Sequence, residues 1–62
     1  MTAEEIKNFI LASIISADND RYSEEIKQDI IQRIKDKRDD LEYVLEPLGD
    51  DAHKYIELIR AA

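Results

Sequence analysis

The chain has 62 residues, a net charge of −6 and no cysteine. A chain this short buries only about 60% of the surface its unfolded form exposes, which leaves no room for a second domain or an enclosed active site. The acidic balance argues against direct nucleic-acid binding, which relies on Lys and Arg clusters, and against anionic membranes for the same reason. The absence of cysteine removes disulfides and thiolate chemistry. The longest apolar run, Phe9 to Ile15, is seven residues, against the ~20 that cross a bilayer. The opening Met-Thr-Ala-Glu-Glu is acidic where a signal peptide would be basic, so a cytoplasmic location is expected. Ile, Leu, Val and Phe supply 17 residues, ten of them Ile, beside one Gly and one Pro. That composition points to a helix-rich fold with few turns.

The first helix is expected over residues 3–17. Thr2 followed by Glu5 has the spacing of a capping box, in which each side chain satisfies the other's free backbone N–H. Apolar residues recur at 6, 9, 10, 11, 14 and 15. On a helical wheel they span an arc of about 240°, with Phe9, Ile6, Ile10 and Ile14 on one side and Leu11 and Ile15 continuing it. Two neighbouring helices cover so wide an arc poorly. Either the remaining helix and the loops close over it, or Leu11 and Ile15 pack on a second copy of the chain, or they pack on a different partner. The second reading makes the protein a homodimer.

Asp18-Asn19-Asp20 reads as a turn. It also starts a stretch with part of the spacing of a calcium loop. Tyr22 stands at the fifth place, Ser23 at the sixth in place of glycine, and Asp29 at the twelfth in place of glutamate. No metal is expected there.

The second helix is expected over residues 23–45, capped by Ser23 with Glu24 and Glu25 in its first turn. Its seam runs Ile26, Ile30, Ile34, Leu41, Leu45 and keeps phase across the apolar-free run Lys35–Asp40. A continuous helix is therefore preferred, about 34 Å long, ending before Pro47. Asp50 or Asp51 caps a third helix over residues 51–61, with a stripe of Ala52, Tyr55, Ile56 and Ile59. The expected architecture is all-α: one domain of three helices with a long central helix, self-associating.

The second helix also segregates charge. Glu25, Asp29, Gln32, Asp36, Asp39, Asp40 and Tyr43 fall within about 100°, and Lys27, Lys35 and Arg38 lie opposite. The simplest reading is a solvated face supported by pairs such as Asp29 with Arg33. The functional reading is a docking stripe with Tyr43 as its aromatic anchor, since tyrosine is enriched at interface hot spots. From residue 25 to residue 40 the stripe spans about 22 Å. One DNA strand places six or seven phosphates in that length, at about one per 3.4 Å. The stripe offers five carboxylates.

No catalytic or cofactor-binding constellation is present. His53 is the sole histidine, Ser13 and Ser16 have no partner at recognisable spacing, and Gly49 is the only glycine. What remains is an acidic helical protein that acts through contact with a larger protein, as inhibitor, adaptor or regulator. The alternative is a nucleic-acid-mimicking decoy that occupies the groove of a DNA- or RNA-binding protein, as a phage or mobile-element anti-defence inhibitor would.

Overall fold

The computed structural model describes all residues, Met1–Ala62. It contains only helices: α1 (Ala3–Ile15), α2 (Glu24–Lys37), α3 (Leu41–Leu45), a 3-10 turn (Glu46–Leu48) and α4 (Asp51–Arg60). None is long and apolar enough to cross a membrane. The caps explain two of the starts. The Thr2 hydroxyl accepts from the Glu5 N–H and the Glu5 carboxylate accepts from the Thr2 N–H, so the capping box forms. The Ser23 hydroxyl accepts from the Ile26 N–H at 3.3 Å and opens α2. At its far end α1 stops at Ile15, two residues short of the expected end, and Ser16 is extended. The turn that follows is held by Asn19, whose side chain donates to the Ser13 carbonyl at 2.9 Å and accepts from the Arg21 N–H at 2.9 Å.

The long central helix does not form. The chain leaves the helix after Lys37, turns through Arg38–Asp40 and restarts at Leu41. Asp40 has φ −89° and ψ 86°, and its carboxylate accepts from the Tyr43 N–H, so it is a helix cap rather than part of a stripe. The physical reason is the size of the core. A straight helix of about 34 Å would run well past α1, whose 13 residues span about 20 Å, and would carry its last turns beyond the helix that covers it. No apolar residue in Lys35–Asp40 holds the chain to a straight course. Breaking there returns Val44 and Leu45 to the core, where both are fully buried.

The segment before α4 also departs from expectation. Glu46 is helical despite Pro47, because Pro47 sits in the first turn of a 3-10 helix, where its missing N–H has no partner to lose. Gly49 then takes φ 65°, the one positive φ in the chain. Neither acid caps α4 with its side chain. Asp50 makes no capping hydrogen bond, and Asp51 turns away towards Arg21 and Tyr22.

α1 packs on α2 and α4, and α3 with the 3-10 turn closes the remaining side. The core comprises Ile10, Leu11 and Ile14 of α1, Ile30 of α2, Val44 and Leu45 of α3, and Ile56 and Ile59 of α4, joined by Tyr22, Leu48 and Ala52. Lys7 is buried too. Its stem lies in the core surface and its Nζ donates to Asp39 at 3.0 Å and pairs with Glu4 at 3.3 Å. The buried side of α1 is thus centred on Ile10, Ile14, Lys7 and Leu11. Phe9 lies about 140° from Ile14 on the wheel and is 67% exposed, which corrects its expected place in the apolar arc of α1.

Replacing Ile30 by Val should lower the unfolding free energy by about 1 kcal/mol, and Ile30→Ala by about 2–5 kcal/mol, comparable to the whole stability of a chain this size. Asp40→Ala should remove about 1 kcal/mol through the lost cap. Urea unfolding followed by circular dichroism measures all three. An Asp40→Ala midpoint equal to wild type would mean that the restart at Leu41 does not depend on its cap.

Candidate protein-binding surface

The residues of the acidic stripe divide at the break. Glu25, Asp29, Gln32 and Asp36 share one face of α2, while Asp39 and Asp40 belong to the turn and Tyr43 to α3. The fold brings Tyr43 back onto the α2 face. Its hydroxyl donates to Asp36 Oδ2 at 3.3 Å. The Arg33 guanidinium lies 4.7 Å from its ring centroid and the Lys37 ammonium 5.5 Å. Cations over an aromatic face gain about 0.5–1 kcal/mol each at exposed sites. The ring is therefore fixed and half-buried.

Arg33 organises this face. Its Nε donates to Asp29 at 2.9 Å, the expected i,i+4 pair. One terminal nitrogen donates to the Tyr43 carbonyl at 3.0 Å and to Glu46 at 3.2 Å. The hydrogen bond that Arg33 donates to Asp29 is the main reason its pKa rises further above an already high value. Gln32 donates to Asp36 at 3.4 Å. Asp39 is committed to Lys7 and Asp40 to the α3 cap. Of the seven stripe residues only Glu25 makes no side-chain hydrogen bond or ion pair within the chain. The role of Arg33 in joining α2 to α3 was not visible from sequence, because its partners lie ten and thirteen residues away.

Leu11 and Ile15 sit elsewhere, on the α1–α2 seam. Leu11 is 3% exposed and counts as core; Ile15 is half-buried. Both line an open apolar groove of 260 Å³, together with Ile31 and Ile34 of α2. Lys35 and Arg38 rim it. Arg38 is held in place by hydrogen bonding to Asn8 and pairing with Glu4 at 3.7 Å.

A second polar cluster ties the first loop to α4. Asp51 Oδ2 accepts from the Tyr22 hydroxyl at 2.9 Å and from Arg21 at 3.0 Å, and the Tyr22 hydroxyl lies 3.4 Å from that of Tyr55. Burial, reinforced by Tyr55 and Asp51, pushes the Tyr22 phenol well above its ordinary pKa. The hydrogen bonds from Tyr22 and Arg21 pull the Asp51 carboxyl below its own. Partners about thirty residues apart left no local signal in the sequence. His53 is exposed on α4. No group of three or more His, Asp or Glu stands in metal-holding geometry. No family model, curated protein or solved structure matches the chain.

A carboxyl with a depressed folded-state pKa stabilises the fold above its ordinary value and loses that contribution as pH falls through the folded value. Asp51→Asn should therefore be less stable than wild type at neutral pH. The gap should narrow as pH drops below 3.8, the ordinary value of the group. Thermal melts across that range measure it. A gap constant with pH would show that the ionised carboxylate contributes nothing.

Proposed function

We propose that this chain is a small, non-catalytic interaction module that binds and modulates a larger protein through the α2–α3 face around Tyr43, and that it self-associates through α1. The observation that carries the reading is the fixed aromatic at the centre of that face. Tyr43 is bracketed by Arg33 and Lys37 and anchored on Asp36, so little side-chain entropy remains to be lost when a partner covers it. Around it Asp29, Gln32 and Asp36 offer acceptors held by hydrogen bonds within the chain, and Glu25 adds a carboxylate with no partner of its own. A partner with basic and hydrogen-bonding side chains around a shallow apolar pocket is complementary to this face.

The decoy reading has weaker support. A phosphate mimic needs an unbroken, unpaired row of negative charge. Here the row is interrupted at Arg38–Asp40, and two of its five carboxylates are paired with Arg33 and Lys7.

The two readings separate in one capture experiment. The tagged chain, its Tyr43→Ala variant and its Glu25→Gln variant are used as baits at low and high salt, with duplex DNA or RNA as competitor. A docking module should lose its partner on Tyr43→Ala, by at least about tenfold in affinity for a hot-spot aromatic. It should be insensitive to nucleic acid. A partner released by duplex competitor and by salt, yet indifferent to Tyr43→Ala, would overturn the docking module in favour of the decoy.

A further inference from the structure

We infer that two copies of this chain join by inserting Phe9 of each into the α1–α2 groove of the other; this rests on the self-association proposed above and specifies its contacts. Phe9 is the most exposed large hydrophobic side chain within any helix, at 67%, ahead of Leu58 at 54%. The groove on the α1–α2 seam is an apolar depression with Leu11, Ile15, Ile31 and Ile34 along it. Knob and hole flank one face of one helix. On the α1 wheel Ile15 and Phe9 lie about 120° apart, with Ala12 midway between them. Ala12 is exposed and also borders the groove. Its methyl group lets another backbone approach closely.

This arrangement has the property an isologous two-fold contact requires. In such a contact the same patch serves both subunits, and residue i on one meets residue j on the other in both directions. A patch centred on Ala12, with a knob on one side and a hole on the other, satisfies that rule. A foreign partner would have to supply a separate knob and leave Phe9 in water.

Charge points to the same occupant. The charged residues that line the groove are Lys35 and Arg38, and Arg38 is already paired with Glu4. Lys35 makes no ion pair within the chain. The exposed side of α1 that carries Phe9 carries Glu5 one turn earlier. A second copy therefore brings Phe9 to an aliphatic groove and Glu5, an exposed acid one turn away, towards Lys35, the rim cation without a partner. The Tyr43 face, on the other flank of α2, stays uncovered.

Light scattering on a size-exclusion column at several concentrations tests the inference, using wild type, Phe9→Ser, Lys35→Glu and Leu58→Ser. All three substitutions fall on exposed side chains, and circular dichroism confirms the fold of each. Wild type should run as a concentration-dependent dimer. Phe9→Ser should weaken it at least about tenfold, and Lys35→Glu should weaken it and flatten its salt dependence, while Leu58→Ser leaves it unchanged. Wild type monomeric at every concentration overturns self-association as a whole. A wild-type dimer that survives Phe9→Ser overturns the knob-in-groove contact while self-association through another surface stands. A wild-type dimer that Leu58→Ser weakens and Phe9→Ser does not moves the interface to α4.

Discussion

Ile14, Ile30, Val44 and Leu45 come from three different helices and belong to one cluster from which water is almost completely excluded. A chain of this size has a single core, so the path of its backbone is set by the need to bring these four together. Each fully buried aliphatic of this kind contributes roughly 1.5–3 kcal/mol, whereas the helical order of a run such as Lys35–Asp40 contributes little. When straight continuation would carry Val44 and Leu45 past the end of the other helices, the core wins and the helix breaks. The break, the cap at Asp40 and the placing of Tyr43 against α2 all follow from that one constraint.

The ion pairs work at a different level. Lys7 with Asp39, Arg38 with Glu4, Arg33 with Glu46, Arg60 with Glu42 and Arg21 with Asp51 each join two different segments of the chain. Apart from the pair at buried Lys7, these are solvent-exposed pairs of the kind that contribute about 0–1 kcal/mol apiece, so they are not what holds the fold together. Their effect is on geometry. A short helix such as α3, five residues long, has almost no intrinsic stability. Its orientation is set by the burial of Val44 and Leu45 on one side and by the Arg33–Tyr43 contacts on the other. Arg33 thereby does two things with one side chain: it fixes α3 and it neutralises part of the acidic face.

The all-helical class, the capping box at Thr2, the Ser23 cap and the stripe of α4 were legible in the sequence, because each rests on composition or on spacings of one to four residues. The break was harder. The hydrophobic phase from Ile34 to Leu41 is compatible with one helix or two, since a seven-residue step returns to the same face in either case. Only the length of the core decides, and that is a property of the whole chain. The polar run Lys35–Asp40 was the available sign. The site residues show the same division. Asp29 with Arg33 could be read from spacing. Asp39 with Lys7, Asp51 with Tyr22, and Asp40 as a cap could not, because their roles depend on where the chain turns. The wide apolar arc of α1 held two messages. Leu11 belongs to the core, and the exposed member is Phe9 at the opposite edge.

The two surfaces of α2 differ in kind, and that difference bears on how the molecule would act. On the acidic face Asp29, Gln32, Asp36 and Tyr43 are held by hydrogen bonds within the chain, and it presents a fixed aromatic with oriented acceptors. The groove on the other flank is apolar and open, and its rim lysine is free of any partner. The first is suited to recognition, where preset geometry discriminates between partners. The second is suited to association, where apolar area supplies the driving force. Copies joined through the groove, as proposed, would carry two Tyr43 faces in one complex. A target with two matching sites would then be held far more tightly than one face alone allows, because the second contact forms within an existing complex. A target with one site would gain nothing from the pairing.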